Sequence, residues 1–303
     1  MHPLAKATAA HYVAIGLVML LCTACHTAGS NTEKQGQASG LALVVDQQGV
    51  ARKINPKQKA VYLVFTAHYS SADSGRFENF DGVVPVLDIL KQKGVKGSFF
   101  PTGVCFDQPK YKAAIKRIVA DGHYLSAHSY AHLLMSEGGK SLVTTDSIDK
   151  DIKLMEQKLN EVGLKKSQYC WMIPPYETYN QENVDELHRL GYHLISPTAG
   201  INTDMDWTAP GDKNYTSAHD IMQTLWRYEA QHGMNGVILL VHAMNYPGRT
   251  VSDRVYTHLG EIIDGLRARG YTFKTMTDVI AASKAGKTTY QQINSSTETD
   301  HVK

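Results

Sequence analysis

The chain of 303 residues is 43% hydrophobic and 20% charged, enough apolar material to bury the core of one large α/β unit or two small ones. Its formal net charge of +2 and its lack of long basic runs argue against a nucleic-acid partner, because phosphate recognition needs concentrated Lys and Arg. At the N-terminus, residues 13–21 (VAIGLVMLL) form an apolar run too short to span a bilayer but of the length of a signal-peptide core, with Lys6 ahead of it. Cys22-Thr23-Ala24-Cys25 follows as a lipoprotein-type cleavage box ending at Cys25, although Cys22 stands where Leu is usual; cleavage by ordinary signal peptidase is the alternative. The expectation is an exported chain, with residues 1–25 as leader, 26–40 as polar tether, 41–285 as the folded domain and 286–303 as a polar tail without fixed structure. Membrane contact is expected only through a lipid on Cys25, in the cell envelope at the periplasm or outer membrane, and the domain is read as a monomer. If Cys22 and Cys25 leave with the leader, Cys105 and Cys170 remain, either as one disulfide or as two buried thiols.

From residue 41 onward, strand-like and helix-like segments alternate. Residues 60–66 (AVYLVFT) are a continuous apolar run rich in β-branched residues, and 83–93 then carries helical spacing up to Gly94. A strand at 96–101 and a helix at 111–120 come next, and Gly122 leads into a short strand ending in His128 and His132. Residues 146–160 read as a long amphipathic helix whose first turn holds Ser147, Asp149 and Asp151, placing acid and a capping hydroxyl at its positive end. Further strands are expected at 169–173, 193–196, 237–242 and 271–274, and helices at 183–190, 217–231, 256–269 and 277–283. Such alternation predicts a mainly parallel sheet or barrel with helices outside, and these folds place their chemistry at the carboxyl ends of the strands.

His128 and His132 stand four residues apart, which within one helical turn points both imidazoles at one spot, as two neutral nitrogen ligands for a zinc-like ion. With 14 histidines in the chain such a pair also arises by accident, so the remaining strand ends carry the decision. Ala67-His68 comes after the first run, Pro174-Pro175-Tyr176-Glu177 after the fourth, Asp204 and Asp206-Trp207 after the fifth, and His242 ends 237–242. Histidine or carboxylate at every one of these ends favours a shared metal site over mixed turn residues.

In order, these motifs resemble the polysaccharide deacetylases of carbohydrate esterase family 4, the NodB homology domain, over residues 60–280. His128-Ser129-Tyr130-Ala131-His132 matches the family's His-Ser-x-x-His motif, and Pro174-Pro175-Tyr176 matches part of its aromatic-proline motif. Asp204 with Asp206-Trp207 matches the Asp-x-x-Asp-Trp-like motif, and Leu239-Leu240-Val241-His242 the Leu-x-x-His motif. The resemblance implies a distorted (β/α) barrel holding one divalent metal, zinc first and Co, Ni, Mn or Fe as alternatives, that removes acetyl groups from N- or O-acetylated carbohydrate. Two departures stand out. Where the family's first motif, Thr-Phe-Asp-Asp, supplies a base and a ligand, the chain reads Phe65-Thr66-Ala67-His68; where an Arg pairs with that base, it has Ile173. Loss of both together avoids an uncompensated buried charge.

The resemblance then implies a site in which His68, His128 and His132 hold the metal, with Asp73 in the loop 69–75 as base or, alternatively, third ligand. Glu177, where the family usually has Gly, is the second base candidate, and otherwise an acid bonded to nearby backbone. Metal-activated water would attack the acetyl carbonyl, with the metal and a backbone N–H near Tyr176 holding the oxyanion. His242 would protonate the leaving group while Asp206 keeps that imidazole oriented and cationic. Tyr176, Trp207 and Tyr246 are candidates to stack on a sugar, and Arg249 and Arg254 read as a solvated loop. The rival readings are a catalytically silent carbohydrate-binding protein that keeps the fold and metal site, and an amidase acting on a non-sugar amide.

Overall fold

The computed structural model describes residues 40–69 and 79–293; the leader, Cys25, the tether and Asp73 lie outside them. In chain order the first half forms β1 (Ala42–Val45), β2 (Ala51–Ile54), β3 (Ala60–Ala67), α1 (Val83–Lys93), β4 (Ser98–Pro101), α2 (Gly103–Asp107), α3 (Lys112–Ala120), β5 (Tyr124–Leu125), β6 (Ser136–Glu137), β7 (Lys140–Ser141) and α4 (Thr145–Glu161). The second half adds β8 (Trp171–Met172), α5 (Gln181–Arg189), β9 (His193–Leu194), α6 (Ala218–His232), β10 (Val237–His242), α7 (Leu259–Ala268), β11 (Thr272–Lys274), α8 (Met276–Ala285) and β12 (Thr289–Gln292).

The main sheet runs β12-β1-β2-β10-β3-β4-β5, with β11 also on β3. Its centre is parallel: β10, β4 and β11 all pair with β3 in that sense, as continuous apolar runs buried on both faces demand. Along β3, Val61, Leu63 and Phe65 join a core shared with α1, α3, α4 and α7, whereas Tyr62 and Val64 join a second core. That second core also takes Leu43, Ile54, Phe100, Tyr124, Trp171, Ile195, Ile238 and Leu240, side chains from every wall, so it fills the inside of a curled sheet. The Met276 N–H donates to Ser98 Oγ at the start of β4, 3.0 Å away, which puts α8 under the amino ends. The result is a distorted (β/α) barrel with its helices outside and its carboxyl ends open.

Closure of the curl is uneven. Ala51 bridges Ile195, tying β2 to the end of β9. On the other side no backbone hydrogen bond joins β5 to β8 among the described residues. Side chains close that gap instead. The Tyr124 hydroxyl donates to the Trp171 carbonyl (3.0 Å) and accepts from the Trp171 N–H (2.9 Å), and Ser126 Oγ donates to the Tyr169 carbonyl (2.8 Å).

Two expectations are corrected here, and one open alternative is decided. His128 and His132 do not share a helical turn: the loop bends through left-handed residues at Ser129 (φ 64°) and His132 (φ 58°), so the four-residue spacing arises without a helix. Thr289–Gln292 pairs in parallel with β1, so the sheet continues past the boundary placed at 285. Cys105 and Cys170 are thiols, because they belong to different cores, Cys105 buried in the first and Cys170 packed on the second. Among the described residues no helix is long and apolar enough to cross a membrane.

Candidate active site

A cavity of about 290 Å³ opens at the carboxyl end of the barrel, lined by Thr66, Ala67, His68, His128, His132, Tyr176, Glu177, Asp204, Trp207, His242 and Met244. Each strand-tip segment singled out in the sequence therefore contributes to one space. His68 follows β3 directly, and its Nδ1 lies 3.2 Å from Thr102 Oγ1 at the start of α2. His68 and His132 are stacked, with ring centroids 4.5 Å apart, and the His128 and His132 rings are 5.1 Å apart.

The loop that carries the histidine pair is clamped from both sides. The first N–H groups of α2, on Gly103 and Val104, each donate over 3.0 Å to the carbonyls of Ser129 and Tyr130. Only glycine allows this approach at 103, since a Cβ there would sit 2.3 Å from the Tyr130 ring. From below, the Asp151 carboxylate of α4 accepts from the N–H groups of Tyr130 (2.7 Å) and Ala131 (2.9 Å). The sequence reading placed Asp151 at the helix's positive end, and the structure turns it inward, 7% exposed. The available signal was its place on the apolar stripe between Ile148 and Met155. Asp151→Ala strips two part-buried, charge-assisted bonds from this loop and lowers unfolding free energy by roughly 1–3 kcal/mol, read as a shift in the urea midpoint.

Protonation at the cavity divides its imidazoles into two kinds. His128 is 3% exposed and its Nδ1–H donates to the Ile173 carbonyl at 2.8 Å, so Nε2 keeps its lone pair. Burial pushes this imidazole down to about 3, the Ile173 carbonyl resisting and His68 and His242 adding to the fall. Burial likewise drives His132 well below the ordinary histidine range, with His128 and His68 reinforcing it. His242 moves the other way. Burial opposes its charge, but Asp206 Oδ1, 2.6 Å from Nδ1, together with Glu177 and Asp204 raises it to about 9. One wall is thus neutral and the other holds a cation at neutral pH.

Neutral imidazoles, one fixed in tautomer by a backbone carbonyl, are what a zinc-type ion takes as ligands. By donor chemistry His68, His128 and His132 fit such an ion. As they stand, no three His, Cys, Asp or Glu side chains among the described residues converge closely enough to hold one.

The remaining site candidates separate clearly. Tyr176 (48% exposed) and Trp207 (42% exposed) present rings at the cavity mouth, but Tyr246 is 7% exposed and takes no part in the cavity wall, correcting its reading as a stacking ring. Arg249 is not a solvated loop residue: its side chain is fully buried and donates to the carbonyls of Thr208, Asp253 (2.8 Å), Thr216 (2.6 Å) and Met205 (3.4 Å). It thereby anchors the loop that carries Asp206 and Trp207. Glu177 lines the cavity, and burial with Asp204 beside it pushes its carboxyl up to about 7 while His242 and Arg52 resist.

Comparison with known proteins points to polysaccharide deacetylases. A family profile described as polysaccharide deacetylase matches residues 53–195. The peptidoglycan-N-acetylmuramic acid deacetylase PdaA of Bacillus subtilis is 29% identical over 228 residues, covering 75% of this chain and 73% of that protein. A chitin deacetylase of Colletotrichum lindemuthianum is 27% identical over 196 residues, covering 63% and 71%. Among solved structures, Bacillus subtilis PdaA, a family 4 carbohydrate esterase, superposes with a TM-score of 0.56 at 25% identity, covering 77% of this chain and 86% of that one. A CE4 family pseudoenzyme of Bacillus anthracis shares the fold with a TM-score of 0.56 at 19% identity, covering 79% and 71%. The profile match, the deacetylase relatives and the shared fold make the chain similar to the polysaccharide deacetylases of carbohydrate esterase family 4.

Proposed function

We propose that this chain is a metal-dependent hydrolase that removes acetyl groups from N- or O-acetylated glycans of the cell envelope. The observation that supports it best is the opposition, across one cavity, of neutral imidazoles at His128 and His132, with His68 stacked on His132, and a cationic His242 braced by Asp206. A divalent ion held by the three histidines would supply Lewis acidity toward the acetyl carbonyl and the attacking water. Asp73 or Glu177 accepts the water's proton as its oxygen bonds to the carbonyl carbon, and a backbone N–H near Tyr176 meets the oxygen on which charge collects. His242 gives its proton to the leaving amine or alkoxide, and Asp206 fixes the imidazole with Nε2 toward the cavity. Tyr176 and Trp207, exposed at the mouth, offer faces for sugar rings. A lipid on Cys25 would keep the domain beside its substrate.

The test is release of acetate from acetylated chitooligosaccharides and peptidoglycan by the purified domain, with metal content measured on the same sample. About one divalent ion per chain is expected. Chelation or His128→Ala should abolish release, and adding back zinc should restore it after chelation only. A second reading has its own support: no carboxylate stands at the end of β3, where family members carry their base, and one structural neighbour is described as a pseudoenzyme whose mutant has restored activity. Glycan binding with no acetate from any substrate would favour that silent carbohydrate-binding protein. Release of acid from non-sugar amides alone would favour the amidase.

A further inference from the structure

We infer that Glu177 is the proton acceptor this divergent site uses, and that Asp204 is its working partner, the two carboxyls sharing one proton on the wall that faces His242. The inference rests on the deacetylase reading above and names the group that the altered first motif leaves open.

Backbone geometry is the first observation. Tyr176 and Glu177 are consecutive non-glycine residues in the left-handed region, at φ 57° and 50°, on the short turn after Pro174-Pro175. Two such residues in a row are strained and persist only where the surroundings fix them. A glycine at 177 would take the same turn without strain, so the carboxyl is held in the cavity against the backbone's preference. Residues stored in this way cluster at sites where the side chain's position is the purpose.

The surrounding charges are the second. Glu177 and Asp204 line the same cavity as His242, from two separate segments of the chain. Asp204 opposes the ionised form of Glu177, while His242 at the end of β10 and Arg52 on β2 favour it. Burial raises Asp204 as well, with His242 and Arg52 drawing it down and Asp206 pushing it up. Two carboxyls lining one enclosure do not both ionise readily, which is the ground for inferring that they share a proton. Arg52 occupies an unusual position for a cation. Its guanidinium donates to the neutral hydroxyls of Ser196 (2.7 Å) and Tyr179 (3.3 Å), and its buried Nε has no partner among the described residues. Ile173 removes the Arg that pairs with the base in the family, and Arg52 supplies positive charge to the relocated carboxyls from another strand.

The step balances. The water oxygen bonds to the acetyl carbon, the carbonyl π pair moves onto its oxygen, and the water proton passes to Glu177. On collapse, the bond to the sugar nitrogen or oxygen breaks, that atom keeps the pair and takes the proton from His242, and acetic acid leaves. The proton on Glu177 then returns to His242, so nothing is consumed but water.

Two measurements on the leaderless full-length protein decide the matter. In protein labelled with 13C at the glutamate side-chain carboxyls, one resonance should titrate near neutral pH, vanish in Glu177→Gln and move to lower pH in Asp204→Asn. A Glu177 resonance in the ordinary carboxylate range, or one indifferent to Asp204→Asn, overturns the shared proton whether or not acetate is released. For acetate release, Glu177→Gln should lose about 10²- to 10⁴-fold in kcat, and Asp204→Asn should lose less while the acid limb of kcat/KM moves to lower pH. Glu177→Gly, which removes strain and carboxyl together, should melt higher than the parent and be as inactive as Glu177→Gln, which separates lost chemistry from lost folding. Full activity in Glu177→Gln beside an inactive His242→Gln overturns the inference and leaves the deacetylase reading standing. No acetate from the unmutated protein on any acetylated glycan overturns the activity and the base role together.

Discussion

His242→Gln lowers kcat for acetate release by roughly 10²- to 10⁴-fold, the range spanned by positioned general acids. The reason lies in how the imidazole is kept charged. Burial alone would leave it neutral, but the Asp206 carboxylate at 2.6 Å, with Glu177 and Asp204 nearby, holds it protonated up to about pH 9. Activity that needs this proton is present below that value and falls as pH rises through it. Asp206→Asn removes the first of the supporting charges, so the alkaline limb should move toward the ordinary histidine value of about 6.5, with a larger loss at pH 8.5 than at pH 6. Stability has the same sign. A group raised in the folded state contributes fully below its unfolded pKa, and that contribution fades as pH climbs to about 9. Steady-state pH profiles of the two variants check the prediction, and an Asp206→Asn profile that overlays the parent's would end the assignment of Asp206 as the supporting charge.

Arg249→Met should be the most destabilising single change near the site, at roughly 3–5 kcal/mol, the cost of leaving a buried ionic group's partners bare. Four carbonyls, from Met205, Thr208, Thr216 and Asp253, lose their donor at once, and the Asp253 carboxylate loses its 3.3 Å ion pair. Lysine cannot replace the planar fork, so Arg249→Lys should recover only a small part. Both numbers come from urea unfolding. Below the melting transition Arg249→Met should also turn over more slowly, because the freed loop carries Asp206 and Trp207. Unfolding free energies within about 1 kcal/mol of the parent would mean that water satisfies those carbonyls unaided.

The centre of the fold was legible in the sequence because parallel strands buried on both faces leave continuous apolar runs, as at 60–66 and 237–241. The site was legible because these folds gather their chemistry at strand ends, so the residues just past each apolar run are the ones that wall the cavity. Features without a periodic signature escaped. β1, β2 and β12 are short and are not followed by a helix, so they fall outside the strand-then-helix alternation that marked other short strands. Asp151 and Arg249 are charged residues turned inward by loops that need their hydrogen bonds, and spacing alone assigns such residues to solvent. The His128–His132 interval fits a helical turn and a loop bent by two left-handed residues equally well, and only hydrogen bonding tells them apart. Tyr246 sits one turn beyond a strand end, where the same aromatic serves the core as readily as a ligand.

The seam between β5 and β8 gives the barrel a clasp where other walls have a hoop. Its fastenings are Tyr124, Ser126 and His128, reaching across to the carbonyls of Trp171, Tyr169 and Ile173. The last of them is also a cavity imidazole, so whatever grips Nε2 of His128 pulls on the fastening that Nδ1 makes behind it. Loading the site and stiffening the barrel wall are, at that residue, the same event.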